Sequence, residues 1–522
     1  MQRRRLVPVL AVSVMATLAP AVATTANAAP APASPLAQYA KQKPSWKRCS
    51  PELPAAFQCA KIKAPLNYAK PGGKKIDVAI SRYNTSVKGK RHGVLLSNPG
   101  GPGGDGLSLP LELKGALPKS VTERYDLIGF SPRGVGQSAA ISCGLSDGDM
   151  RWPRPYQAKT FTKDVAWAKG VADKCRKKAG DKLPHVTTRN TARDMDLIRT
   201  VLGEKKLNYL GYSYGTYLGA VYGQMFPKQT GRFVLDSAVD PKLAWRGMIQ
   251  VWAEGVEPAF QRWTKWTAER SATYKLGNSP AKVSKTFWDL IAQADRKPID
   301  IEGEKYDGYA LRDIMRQQFF NVRAAADIVV ELKKYASAKK TSGRALPLPQ
   351  APRPAFLKPA PADNGDAVFW AVACGDNSAA WSRDTERYRK DAIRDKARYP
   401  LYGDFASNIK PCAFWNKSGE AATKVDNKVG SLIIQNEWDS QTPLSAGLGL
   451  RKAMRGAKMV TVKNGEGHGV YLFGGSACAD KAGTDYLTTG KLPAKDTTCT
   501  APAPRKSGTA PSSPLLPQPN RF

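Results

Sequence analysis

The sequence predicts an α/β fold: a mostly parallel sheet with helices on both faces and a helical cap inserted into it. Three observations carry that prediction. Between residues 75 and 240 short β-branched runs alternate with longer amphipathic stretches, the pattern of strands joined by crossover helices. From 242 to 400 the chain reads as helical, with no clear strand. Strand character then resumes at 430–435 and 458–462, so the helical block interrupts a sheet rather than following a finished domain. Two independent domains account less well for those late strands.

Taken in order, the chain opens with Met1-Gln2-Arg3-Arg4-Arg5, an apolar run over 6–23 and then Ala26-Asn27-Ala28. A basic start, a short apolar stretch and a small-x-small exit describe a secretory signal peptide, cleaved after about Ala28. A membrane anchor is the weaker reading, because Pro8 and Pro20 interrupt a run already short for a span. Residues 29–44 begin with alternating Ala and Pro and are expected to be flexible.

The first part of the core is expected over 45–241, with strands at 75–83, 93–97, 125–130, 207–210 and 232–235. Met195, Ile198, Val201 and Leu202 space an amphipathic helix over 191–203, and another helix follows from Tyr214. The cap, 242–400, carries helical patterns at 252–266, 283–294, 309–320 and 324–335, then a Pro-rich stretch at 346–361. The core closes over 401–499. Residues 500–522, rich in Pro and Ser, are expected to form a disordered tail. No internal repeat is visible, which argues against solenoids and propellers.

Composition narrows the function classes. The 522 residues are 42% apolar and 24% charged, so wholesale disorder is excluded. The formal net charge is +36, from 80 Lys and Arg against 44 Asp and Glu. Removing 1–28 takes away three Arg and leaves about +33. That surplus invites a non-catalytic polyanion-binding protein. Yet the cations are spread along the chain, with short clusters such as Arg176-Lys177-Lys178 and Lys339-Lys340 and no aromatic-basic module. Nucleic acid is therefore not an expected partner, nor is stable insertion into a membrane. A basic face would hold an exported protein near an anionic cell envelope.

Eight cysteines, Cys49, Cys59, Cys143, Cys175, Cys374, Cys412, Cys478 and Cys499, point to disulfides in an exported protein. They allow on the order of a hundred pairings, and pairing of sequence neighbours is the expectation: 49–59, 143–175, 374–412 and 478–499. A zinc site fits poorly, since no Cys-x-x-Cys occurs and the chain has three His.

The chemistry begins at Gly211-Tyr212-Ser213-Tyr214-Gly215, between a predicted strand and a predicted helix. A G-x-S-x-G turn in that setting presents a serine hydroxyl above the sheet on a bend too tight for neighbouring Cβ atoms. A hydroxyl needs a base to take its proton. On such a sheet the order along the chain is Ser, acid, His, and of His92, His185 and His468 only the last follows Ser213. His92 and His185 need no role.

The acid that orients the imidazole is expected to be Asp439, in the turn after strand 430–435. Asp236, at the end of an earlier strand, is its rival. Asn98-Pro99-Gly100-Gly101-Pro102-Gly103-Gly104, directly after strand 93–97, can turn backbone N–H groups toward an oxyanion, with Gly101 and Tyr214 as the expected donors. It lacks the Lys-Ser/Thr ending of a phosphate loop.

These residues resemble a known family. The Gly-Gly-Pro-Gly-Gly loop, Phe130-Ser131-Pro132-Arg133-Gly134-Val135-Gly136-Gln137-Ser138, the Gly-Tyr-Ser-Tyr-Gly-Thr-Tyr-Leu-Gly elbow and Asp439-x-x-Thr442-Pro443 look like those of secreted α/β-hydrolase serine peptidases. Within them the likeness is to bacterial tripeptidyl aminopeptidases, relatives of the proline iminopeptidases. It spans about 45–499, the closing segment being similar to the C-terminal domain named after those enzymes. One departure is Ser131, where the family pattern has Asp before Pro-Arg-Gly, which is expected to weaken any ion pair with Arg133.

The resemblance implies release of short peptides from free N-termini of peptides or proteins, through an acyl-enzyme on Ser213, with no cofactor or metal. It also implies an acid that receives the substrate ammonium, for which Glu254, Glu257, Asp376 and Glu437 are candidates. Fold and triad do not fix the acyl group, so a carboxylesterase or lipase with the same triad is the alternative.

Overall fold

Neighbouring residues of the central strands belong to two different cores. In the computed structural model, Leu95 packs into one apolar cluster and Leu96 into another, and the same split separates Leu210 from Tyr209, Val234 from Leu235, and Leu432 and Ile434 from Ile433. Alternate side chains point to opposite faces of a sheet, so a strand buried on both faces must be apolar throughout. The structure describes residues 36–501 apart from 86, 152, 153, 302 and 338–358. The expected signal peptide, residues 29–35, the Pro-rich residues 346–358 and the tail beyond 501 lie outside them.

Among the described residues the strands, in chain order, are β1 (Lys47–Arg48), β2 (Phe57–Pro65), β3 (Lys75–Tyr83), β4 (Gly93–Asn98), β5 (Tyr125–Phe130), β6 (Leu207–Tyr212), β7 (Thr230–Asp236), β8 (Ile299–Ile301), β9 (Glu304–Tyr306), β10 (Ser431–Trp438), β11 (Lys458–Glu466) and β12 (Thr497–Thr500). Ten form one sheet in the order β1-β2-β3-β5-β4-β6-β7-β10-β11-β12. The pairs β1–β2, β2–β3 and β3–β5 are antiparallel, and every pair from β5–β4 to β11–β12 is parallel. The fold class read from the sequence is therefore the one observed. Helices Thr188–Val201 and Tyr214–Met225 feed one core, and Leu109–Ala116 and Ala477–Thr489 the other.

Between β7 and β10 the chain leaves the sheet and forms helices Arg246–Ala268, Pro280–Arg296, Gly308–Arg316, Val322–Ser337, Asn364–Gly375 and Thr385–Arg398. Phe260, Trp263, Phe287 and Phe319 hold the first of these together, with ring centroids 5.0–6.0 Å apart. Four disulfides, Cys49–Cys59, Cys143–Cys175, Cys374–Cys412 and Cys478–Cys499, each join sequence neighbours.

Several expectations need correction. The helical stretch contains a hairpin, β8–β9, whose strands are three residues each and too short to give a periodicity. The nine-residue β2 is an addition to the strands expected from sequence, hidden there because Lys61 and Lys63 alternate with Ile62 and Ala64, and Lys and Ala are poor strand formers. Part of 29–44 is ordered: Tyr39 lies in helix Ala37–Ala40, is buried, and donates its hydroxyl to the Pro71 carbonyl. Arg133 is fully ion-paired without an acid at position 131, because Asp194 comes to it from helix Thr188–Val201. Arg133 Nη2 and Nε lie 2.6 and 2.7 Å from the Asp194 oxygens, and both side chains are buried. Ser131 instead donates to Asp105.

Candidate active site

β6 ends at Tyr212 and helix Tyr214–Met225 begins two residues later, leaving Ser213 alone in the turn. Its φ of 55° and ψ of −124° are a conformation L-residues rarely hold, stabilised from outside at a cost of about 1–3 kcal/mol. Three contacts hold it. Ser213 N donates to the Asp236 carbonyl at 2.9 Å. Thr216 Oγ1 donates to the Ser213 carbonyl, and Tyr209 OH to that of Gly215. The glycine at 211 is required by space, since a Cβ there would lie 2.5 Å from the Tyr209 ring and 2.6 Å from the Gly215 carbonyl.

The Gly-rich loop after β4 packs directly on this turn. A Cβ on Gly100, whose φ is +101°, would meet the Tyr212 carbonyl at 2.6 Å and the Ser213 Cβ at 2.9 Å. Gly100 N is bound to Asn98 Oδ1 at 3.0 Å. Among the described residues, Gly101 N and Tyr214 N donate to no protein acceptor. Tyr214 N is one of the donors that the first turn of any helix leaves free.

Asp439 lies just beyond β10 and is buried. Its Oδ1 accepts from Gln441 N at 2.8 Å and Thr442 N at 3.0 Å, and its Oδ2 accepts from Thr442 Oγ1 at 2.9 Å. His468 Nδ1 lies 2.8 Å from the same Oδ2. All the acceptor sites of the carboxylate are thus engaged, one of them by the imidazole. The sequence pattern Asp-x-x-Thr builds this cradle, because the turn brings residue 442 back over residue 439.

The rival acid, Asp236, takes a different place. It is completely buried, and its carboxylate accepts from Val470 N and Tyr471 N at 2.6–3.1 Å and from Ser237 Oγ at 2.9 Å. Ser237 Oγ accepts from Gly469 N. The backbone just after His468 is therefore fastened to the end of β7, while the Asp236 carbonyl fastens Ser213. Burial pushes the Asp236 carboxyl up to about 7.

On the far side, Asn436 Nδ2 donates to the carbonyls of Glu466 and Gly467 at 2.8 and 3.0 Å. The loop that carries His468 is thus held at both flanks. Asp236 is a candidate from the sequence, but what it holds is not legible there, because the partners are backbone amides more than two hundred residues away.

The four acids considered for an ammonium fall in different settings. Glu257 Oε1 accepts from Leu401 N, and Glu437 Oε2 from Asn464 N. Asp376 accepts from Thr188 N, Thr188 Oγ1 and Trp245 Nε1, and burial raises its carboxyl to about 6. Glu254 is exposed on helix Arg246–Ala268 and takes no hydrogen bond or cation among the described residues. The next residue, Gly255, packs on Ser440 and Pro443 of the Asp439 turn. His92 lies beside Arg232 Nη1, at the opposite ends of the strands from Ser213.

The chain is similar to known proteins over most of its length. Residues 399–499 match the family described as TAP-like protein, and 93–341 match that described as alpha/beta hydrolase fold. The chain is 35% identical over 490 residues to "Tripeptidyl aminopeptidase" of Streptomyces lividans, covering 89% of this chain and 88% of that one. It is 30% identical over 496 residues to "Serine protease Hip1" of Mycobacterium tuberculosis (strain ATCC 25618 / H37Rv), covering 88% and 91%. It is 28% identical over 506 residues to "Carboxylesterase B" of the same organism, covering 89% and 92%.

Proposed function

The chain belongs to the α/β-hydrolase serine peptidases of the tripeptidyl aminopeptidase family, and on that premise we propose that it is a secreted exopeptidase releasing short peptides, tripeptides foremost, from free N-termini. The observation that carries the mechanism is the 2.8 Å contact of His468 with Asp439, in loops fastened beside the Ser213 turn.

Ser213 Oγ attacks the scissile carbonyl carbon while His468 takes the hydroxyl proton. The N–H groups of Gly101 and Tyr214 receive the oxyanion. Collapse of the tetrahedral intermediate breaks the C–N bond, His468 gives its proton to the leaving amine, and an ester to Ser213 remains. Water attacks that ester, His468 accepts its proton and returns it to Ser213 Oγ, and the short peptide leaves as a carboxylate. Asp439 holds the imidazole in the productive tautomer.

Among the described residues Glu254 is the candidate acid with its carboxylate uncommitted, and we assign it to the substrate ammonium. Four disulfides support maturation outside a reducing cytosol, and no helix among the described residues is long and apolar enough to cross a membrane.

Ser213→Ala is expected to abolish turnover with an unchanged melting temperature, and retention of more than a few per cent of wild-type kcat would overturn the assignment. The esterase reading draws support from the carboxylesterase relative. A tripeptide anilide with a free amine, its N-acetylated form and a short-chain aryl ester separate the two. The free-amine anilide is the expected substrate. Cleavage of the ester alone defeats the peptidase reading, and preference for the acetylated anilide defeats the exopeptidase part. Glu254→Gln is expected to raise KM for the free-amine anilide and leave KM for the ester unchanged.

A further inference from the structure

We propose that Arg262, on the inserted helix Arg246–Ala268, is a positioning residue that aligns both His468 and Asp439. The proposal rests on the triad assigned above. Its basis is where one guanidinium reaches. Arg262 Nη1 lies 2.7 Å from Glu466 Oε1, two residues before His468. The same guanidinium sits 4.8 Å from the ring centroid of Trp438, the residue before Asp439. Nη2 donates at 2.8 Å to the carbonyl of Phe320, in the connection between helices Gly308–Arg316 and Val322–Ser337.

Trp438 and Glu466 are register partners at the ends of the parallel strands β10 and β11. Parallel strands splay where their hydrogen bonding stops, and here the register already shifts between Asn436 and Trp438. Arg262 spans the two strand ends at the point where the ladder gives out. An arginine suits the place, since its plane stacks on the indole while its edge donates in two directions. Lysine offers a point charge with no plane to stack.

The insertion grips the acid's turn a second time. Arg316 Nη1 donates to Gln441 Oε1 at 2.8 Å, and Gln441 N is itself a donor to Asp439. Arg316 is buried between the Trp252 and Tyr402 rings, with centroids at 4.7 and 4.9 Å. Alignment of base and acid is therefore shared between the sheet, which supplies the strands, and the insertion, which supplies the guanidinium across their ends. Misplacing a catalytic group by about 1 Å can cost about a hundredfold in rate.

The test compares Arg262→Ala, Arg262→Lys, Glu466→Gln and the swap Arg262→Glu/Glu466→Arg in the full-length protein, using the free-amine tripeptide anilide, with Asp439→Asn alongside. Arg262→Ala is expected to lower kcat about tenfold or more with KM within about twofold, and to slow labelling of Ser213 by a fluorophosphonate to match. Arg262→Lys and Glu466→Gln should fall between it and wild type, and the swap should recover part of the loss in kcat.

Wild-type kcat and labelling rate in a folded Arg262→Ala, or a loss confined to KM, would overturn the proposal. If Arg262→Ala melts below the assay temperature, Arg262→Lys decides in the same way. Should Asp439→Asn keep wild-type kcat, the triad itself is wrong. If it loses kcat while the Arg262 variants do not, the triad stands and Arg262 is only a structural contact.

Discussion

Two carboxylates close neighbouring strands of one sheet and are used in opposite ways. At the end of β10, Asp439 faces a side chain: its oxygens accept from its own turn, and the one open direction goes to His468. At the end of β7, Asp236 faces backbone: it accepts from Val470 N and Tyr471 N, and its own carbonyl accepts from Ser213 N. The first arrangement can orient an imidazole through a proton transfer. The second fixes the distance between two loops. A carboxylate at or just past a strand end is therefore assigned by what it touches, since Asp236 closes β7 and Asp439 follows β10 by one residue.

The comparison breaks most easily at Asp439. Asp439→Asn keeps the shape but offers the imidazole the wrong partner, and kcat for the tripeptide anilide is expected to fall by about 10³–10⁴ while the melting temperature barely moves. Asp236→Asn should do the reverse. It leaves the amides of Val470 and Tyr471 poorly satisfied in a buried site, costing about 1–3 kcal/mol of stability and visible as a lower melting temperature, with kcat kept within about tenfold. A folded Asp236→Asn protein with kcat down a thousandfold would exchange the two roles.

A finer probe is Thr442→Val, which removes one donor to Asp439 Oδ2 at nearly constant volume. About 1–1.5 kcal/mol, or roughly tenfold in kcat, is expected, with KM unchanged.

The smallest effect is on pH dependence. Burial holds the folded Asp236 carboxyl near 7, far above its unfolded value of about 3.9. Between those values the folded protein keeps a proton that the unfolded chain has lost, so this group's contribution to stability is present at pH 4 and falls as pH rises toward 7. Asp313, Asp366 and Asp376 are shifted the same way. Melting temperatures taken from pH 5 to 7.5 should therefore decline less in Asp236→Asn than in wild type, and equal slopes would refute the buried-proton account.

Much of this was legible along the chain. The strand–helix alternation exposed the parallel sheet, and the central strands are apolar on both faces because both faces are covered. The Ser213 turn and the His468 loop could be found because glycine spacing encodes backbone conformation locally. β2 and the β8–β9 hairpin were not legible, the first because lysines occupy its outward positions, the second because three residues hold too little pattern. Glu257, Glu437 and Asp376 could be named as acids, yet their partners, Leu401 N, Asn464 N and Thr188, are known only once the chain is folded.

What the sequence determined by itself is therefore whatever depends on near neighbours: the elbow, the glycine loop, the Asp-x-x-Thr turn and the apolar strands. Only the tertiary structure decided what Asp236 holds, which groups engage Glu257, Glu437 and Asp376, and that Arg262 from an inserted helix reaches across the ends of β10 and β11. The physical reason is range. Turn conformation and side-chain periodicity are fixed by steric and apolar interactions within a few residues, whereas an ion pair or hydrogen bond forms wherever folding leaves two groups about 3 Å apart.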